Sequence, residues 1–312
     1  MGVSRPHRLS AVAIGLLTVA LAGPASAAAP PTCFGAAARD AARPCENPAL
    51  RFRVSPTPDA APLQPNAPCV PIVSRGERSF CASGRPSSRA RRTVALIGDS
   101  HAPSWRGAVE VAAQAEGWRL LTLSRSGCAF NLAEREVAPT AGAACTAWVE
   151  ATLRRMRAHP EIRTVIVAQS AHYPWIAREG GDRHAAGVAG VRAAFDALPA
   201  SVRRIVVVRD SPRARFDTLA CVSRAVARHR RSDRACALPR DWALPPDAAA
   251  DAARTPEGDR ADLVDLSEFF CDATTCPPVV GGALIYKDKG HLTATFTRSL
   301  GPYFLAAVRA LG

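Results

Sequence analysis

From about residue 92 the apolar positions fall into short unbroken runs separated by stretches of helical periodicity. Val94 to Ile97, Leu120 to Leu123, Thr164 to Ala168, Arg204 to Val208 and Asp262 to Leu266 read as strands. Apolar residues continue through them without alternation, as in a parallel sheet covered on both faces. Between them lie apolar faces of period 3.6: Trp105/Ala108/Val109/Ala112/Ala115, Val149/Leu153/Met156, Val188/Val191/Phe195/Leu198 and Leu219/Val222/Val226. A final helix carries Phe296, Leu300, Phe304 and Val308. Alternating β and α elements predict an α/β fold in three layers, α/β/α, with a parallel sheet between helices. Ligands of such sheets bind at the carboxyl ends of the strands.

The chain before residue 91 reads differently. Arg5 and Arg8 precede an apolar run from Leu9 to Ala22, and Ala25-Ser26-Ala27 supplies small residues for cleavage. Residues 1–27 are therefore expected to be a signal peptide, and the run is too short for a convincing membrane span. Residues 28–90 are rich in Pro and Ala, as in Ser55-Pro-Thr-Pro58, and predict an extended, disulfide-stapled extension ahead of a domain at 91–312. The 10 cysteines agree with export. Their even count and close spacing suggest pairing in sequence order: Cys33 with Cys45, Cys69 with Cys81, Cys128 with Cys145, Cys221 with Cys236, and Cys271 with Cys276. No Cys-x-x-Cys occurs and the histidines lack ligand spacing, so no metal site is expected.

Candidate chemistry lies in Arg92-Thr-Val-Ala-Leu-Ile-Gly-Asp-Ser-His101. Ser100 falls between a strand's carboxyl end and a helix N-terminus, where free backbone N–H groups favour developing negative charge. A strand-to-helix turn capped by Ser or Asp accounts for this segment equally well. In Tyr286-Lys-Asp-Lys-Gly-His-Leu-Thr293, Asp288 and His291 stand three residues apart just before the last helix. A hydroxyl needs an adjacent base, and that base needs a third group to fix its tautomer. Asp-x-x-His lets the carboxylate reach one ring nitrogen while the other faces a serine. The α/β-hydrolase elbow Gly-x-Ser-x-Gly fails at Ala102, and that fold separates its acid and histidine more widely in sequence. His101, His172 and His184 are the competing bases, the first too close to Ser100 in sequence and the others reading as loop or surface residues.

Together these motifs resemble the SGNH (GDSL-like) hydrolases, and more closely the SGNH domain fused to bacterial acyltransferase family 3 membrane proteins. The resemblance rests on Gly98-Asp-Ser-His101 with Trp105, Ser126-Gly-Cys128, Cys271-Asp-Ala-Thr-Thr-Cys276 and Tyr286-Lys-Asp-Lys-Gly-His-Leu292. Cys33-Phe-Gly-Ala-Ala-Ala38 resembles the short extension preceding the domain in those fusions. It implies a flavodoxin-like parallel sheet, with Ser100 as nucleophile, His291 as base, Asp288 as orienter, and the N–H groups of Ser100 and Gly127 in the oxyanion hole. The general family pattern has an Asn after the third strand. The corresponding Thr164-Val-Ile-Val-Ala-Gln-Ser-Ala-His172 has none, as in the fused subgroup, which leaves Gln169 or Ser170 as third donor or as strand-end packing.

The formal net charge of +13 falls to +11 without Arg5 and Arg8 (13 − 2), and Lys287 and Lys289 are the only lysines. The arginines are scattered instead of clustered with aromatics on one element, which argues against a nucleic-acid partner. The expected function is an exported serine acyl-ester enzyme, an O-acetyl esterase or O-acyltransferase acting on small acyl groups of cell-surface carbohydrate through an acyl-Ser100 intermediate. No metal or organic cofactor is implied. Trp175, in Ala171-His-Tyr-Pro-Trp175, is the expected glycan-facing wall. The alternative is a non-catalytic carbohydrate-binding or scaffold partner of a separate membrane acyltransferase.

Overall fold

The computed structural model describes residues 1–2, 29–72, 80–254 and 260–312. It divides into two units, Met1–Pro31 and Thr32–Gly312. Save for Met1 and Gly2, the expected signal peptide lies outside the described residues. Among the described residues no helix is long and apolar enough to cross a membrane.

Thr32–Gly312 is built on a seven-stranded sheet. Its strands are β1 (Val70–Pro71), β2 (Phe80–Gly84), β3 (Arg92–Gly98), β4 (Trp118–Ser124), β5 (Ile162–Ala168), β6 (Arg204–Val208) and β7 (Ala261–Val264), in the spatial order β1-β2-β4-β3-β5-β6-β7. The strands from β3 to β7 run parallel, while β2 pairs antiparallel with β4 and β1 antiparallel with β2. The parallel part therefore has the flavodoxin-like order 2-1-3-4-5, whose direction of winding reverses between β3 and β5. All five strands anticipated from the apolar runs are present. The last is shorter than expected, because Leu266 already caps the 3₁₀ turn Ser267–Phe269.

Successive strand residues point to opposite faces. Val94, Leu96, Leu120, Ile166 and Val206 face α1 (His101–Glu116) and the C-terminal helix, packing on Trp105, Ala108, Phe296, Leu300 and Phe304. Ala95, Ile97, Leu121, Val165 and Val207 face α2 (Pro139–Ala158) and α3 (Arg183–Asp196), packing on Trp148, Leu153, Met156, Val191 and Phe195. Burial on both sides explains the unbroken apolar runs. Ala115 and Val226 are exposed, contrary to their assigned faces. Each sits in the last turn of its helix, and Ala113 and Ala225 take the buried positions.

The sheet crosses the boundary expected at residue 90. Before it, β2 is hydrogen-bonded along β4, and Arg106 of α1 donates through Nε to the Ala67 carbonyl at 2.9 Å. Ser55 exchanges backbone hydrogen bonds of 2.9 Å with Gly282 and Leu284. The disulfides are Cys33–Cys45, Cys69–Cys81, Cys128–Cys145, Cys221–Cys236 and Cys271–Cys276, the pairing in sequence order, and no cysteine is free among the described residues.

Candidate active site

At the carboxyl end of β3 the chain turns sharply into α1. Gly98 permits this turn because a Cβ there would overlap the Ala168 carbonyl of the neighbouring strand. Ser100 occupies the N-cap position of α1 but its side chain makes no capping bond. Asp99 does that work instead, its Oδ1 accepting the His101 N–H at 2.7 Å. The Ser100 hydroxyl is thereby left for His291, whose Nε2 lies 2.8 Å from Oγ. The other nitrogen of His291, Nδ1, lies 2.7 Å from Oδ2 of Asp288. With the carboxylate accepting from Nδ1–H, Nε2 is the acceptor facing the serine, the arrangement in which a neutral imidazole can take its proton.

Asp288 is itself fixed from within its loop: Oδ1 accepts the N–H groups of Gly290 and His291, each at 2.8 Å. Burial alone would raise its pKa. The hydrogen bond from His291 and those two N–H groups outweigh burial and hold it down at about 2. The carboxylate therefore stays charged opposite the ring.

Beneath the serine turn lies a set of polar groups that the sequence reading did not single out. Asp99 is buried, and its Oδ2 accepts the Ser170 N–H at 2.8 Å and the Tyr173 hydroxyl at 2.5 Å. Burial and the nearby Asp99 carboxylate push the Tyr173 phenol upward, so it remains a donor. His101, considered above only as a rival base, turns its Nδ1 to Oδ1 of buried Asp210 at 2.6 Å, with its ring centroid 5.3 Å from that of His291. Burial would lower the His101 pKa, but Asp210, with Asp99 and Asp288 behind it, raises it to about 9. Asp210 Oδ2 accepts the Ala171 N–H, and the Asp210 N–H donates to Asp247. The Asp247 carboxyl is itself pushed up to about 6 by burial and by Asp210. The strand-end rule that located Ser100 would also have found Asp210, two residues beyond β6.

The loop after β4 brings Gly127 to the same end of the sheet. Its backbone carbonyl accepts from Arg135 Nη1 at 2.7 Å, and the Arg135 guanidinium lies over the Tyr173 ring at 4.7 Å. Gln169 is buried, with Oε1 accepting the Phe130 N–H at 2.8 Å. It ties the Gly127 loop to the end of β5.

Trp175 departs from expectation. It is 5% exposed, with its indole against Gly187, where a Cβ would overlap the ring, and beside Tyr173 at 5.3 Å. Its ring is committed to seating the 171–175 loop on α3 and offers no face to a sugar. Trp105 is buried against Phe270, and its centroid lies 5.9 Å away.

The SGNH domain described as fused to AT3 domains matches residues 68–306. The chain belongs to this family. It is accordingly an SGNH-type ester hydrolase or acyltransferase, which sets aside the non-catalytic alternative. Among solved structures it is similar to the periplasmic domain of a lipopolysaccharide acetyltransferase from Salmonella ser. Paratyphi A. That match has a TM-score of 0.49 at 11% identity, covering 72% of this chain and 85% of that one. It is also similar to the esterase domain of a Rhodothermus marinus protein, with a TM-score of 0.31 at 13% identity, covering 77% and 97% of the two chains. No curated protein matches the sequence.

Proposed function

We propose that this SGNH enzyme is exported and removes or transfers small acyl groups on cell-surface carbohydrate, with Ser100 as nucleophile. The observation that carries the assignment is the continuous chain from Ser100 Oγ to His291 Nε2 at 2.8 Å and from His291 Nδ1 to Asp288 Oδ2 at 2.7 Å. His291 takes the hydroxyl proton as Oγ attacks the acyl carbonyl, and Asp288 stabilises the imidazolium that forms. The oxyanion is received by the N–H groups of Ser100 and Gly127. His291 then returns the proton to the departing sugar oxygen, leaving an acyl ester on Ser100. Water or a sugar hydroxyl, deprotonated by the same ring, resolves it.

Gln169 enters this scheme as a positioning residue for the Gly127 loop, its carbonyl oxygen accepting the Phe130 N–H. Water is the acceptor we favour. The side chains of His291 and Asp288 are 30% and 48% exposed, so the base opens to solvent. Transfer would draw on an activated acyl source such as a separate membrane acyltransferase. Five disulfides support an extracytoplasmic location.

The purified protein should hydrolyse a chromogenic acetyl ester, and Ser100→Ala should lower kcat by roughly 10³-fold or more. A fluorophosphonate should label Ser100. Label on another residue, or unchanged turnover in Ser100→Ala, would overturn the assignment.

A further inference from the structure

Beside His291 stands a surface that the acyl-transfer chemistry does not use. Phe216 is 87% exposed. It is held next to the catalytic loop: Ala214 N–H donates to the Lys289 carbonyl at 2.9 Å, and Lys289 Nζ lies 4.6 Å from the Phe216 ring centroid. A second ring, Trp242, is half-buried against the core and has two cations laid on it. Arg213 Nε donates to the Trp242 carbonyl at 2.9 Å, and the guanidinium carbons of Arg213 and Arg215 lie 4.1 and 5.3 Å from the Trp242 ring centroid. Among the described residues Arg213, Arg215 and Lys289 form no ion pair with a carboxylate. The nearby Asp241 is turned back on its own chain, accepting the Trp242 N–H at 2.8 Å.

We infer that this surface is the subsite for the carbohydrate and that it selects a saccharide bearing an anionic group, a carboxylate or a phosphate. The inference rests on the acyl-ester reading of Ser100 and names the class of its substrate. A pyranose ring presents apolar C–H faces that stack on an aromatic side chain, which gives the exposed Phe216 ring an occupant. The cations read the anion. Guanidinium groups laid on an aromatic face keep their outer N–H groups available for bidentate contact with carboxylate or phosphate. Lys289 stands two residues from His291 and one from Asp288, so a sugar seated here lies beside the loop that carries the base. Scattered through the sequence, these charges gave no sign of a site. The fold gathers them at one margin of the catalytic loop.

Binding of unacylated sugars tests this without turnover. The probes are β-1,4-linked oligomannuronate, the neutral β-1,4 mannooligosaccharide of the same length, and that mannooligosaccharide carrying a 6-phosphate. Titration calorimetry should find at least one anionic probe bound about tenfold tighter than the neutral one, with affinity falling as salt rises. The tighter of the two anionic arms identifies carboxylate or phosphate as the recognised group. Arg215→Ala combined with Lys289→Ala should bring all three probes to within about twofold of each other. Phe216→Ala should weaken the anionic and neutral probes alike, and Arg215→Glu should invert the preference if the double variant folds poorly. Equal binding of all probes, no binding of either anionic probe, or a preference that survives the double variant would overturn the inference. Absent turnover of the chromogenic ester with an intact charge preference would remove the reading of Ser100 and leave the subsite standing. Turnover without any charge preference would remove the subsite alone.

Discussion

At the scale of single residues, the division of labour in Gly98-Asp-Ser-His101 explains why one short turn can carry chemistry. Asp99 supplies the helix cap, so Ser100 keeps its hydroxyl for His291. His101 turns inward to Asp210, with consequences for stability. Its pKa in the fold, about 9, stands above its ordinary 6.5. A raised pKa means that the folded state holds the proton more tightly, so this stabilisation is fully present below pH 6.5 and is lost as pH rises through about 9. At about 1.4 kcal/mol per pH unit, the rise amounts to roughly 3 kcal/mol for this buried group. Asp247, pushed up to about 6, titrates below that window. Denaturant unfolding should therefore show a decline between pH 6.5 and 9 that is absent from His101→Gln. A variant with the same decline would show that the pair does not supply it. Asp288→Asn should retain more activity than His291→Ala, since it disturbs the orientation of the base without removing it, and steady-state kinetics at neutral pH would read the difference.

At the scale of elements, the sequence carried the parallel strands because burial on both faces leaves an unbroken apolar signature. It did not carry β1 and β2. Phe80-Cys-Ala-Ser-Gly84 is short and half-buried, lies in Pro-rich surroundings, and becomes a strand only because β4 offers an unpaired edge. Asp288 and His291 stand out in the sequence because they are three residues apart, and Ser100 because it follows the end of an apolar strand. Asp247 and Tyr173 do not, since each acts through partners on other loops and carries no pattern of its own, whereas Asp210 shares with Ser100 a place just beyond a strand's carboxyl end. Trp175 was misplaced because proximity to a strand end says nothing about which way a ring turns, and Gly187 provides the recess that takes it. The strands β3 and β5 approach closely where Gly98 faces the Ala168 carbonyl. Gly98→Ala should cost about 3 kcal/mol or more by forcing those backbones apart. Soluble yield and thermal unfolding would read it, and a fully stable variant would mean that the strand pair can open without loss. Gln169→Leu removes the acceptor for the Phe130 N–H and should lower stability by about 1–3 kcal/mol, with kcat falling more than KM rises.

At the scale of the whole molecule, two of the disulfides differ in what they hold, although their loops are of similar length. Cys128–Cys145 closes 17 residues and Cys221–Cys236 closes 15, so the chain-entropy model gives each about 3 kcal/mol. Cys128, however, directly follows Gly127, and its partner lies in α2, which packs beneath β4 and β5. Arg135 reinforces the same loop by binding the Gly127 carbonyl and lying over Tyr173. Cys221–Cys236 instead joins the helix Thr218–Ala227 to the residue after the short helix Ser232–Ala235, within a small separate apolar cluster around Val222 and Leu284. The two bridges should therefore separate stability from catalysis. Replacing Cys221 and Cys236 by serine should lower thermal stability but leave kcat/KM on a chromogenic acetate within about twofold at a temperature where the protein is folded. Replacing Cys128 and Cys145 should lower stability by a similar amount and also reduce kcat by roughly tenfold or more, because the Gly127 N–H proposed for the oxyanion hole would lose its anchor. Unfolding curves under non-reducing conditions, paired with kinetics on both double variants, would decide the matter. Equal kcat in the two would mean that Arg135 and Gln169 position the loop without the bridge.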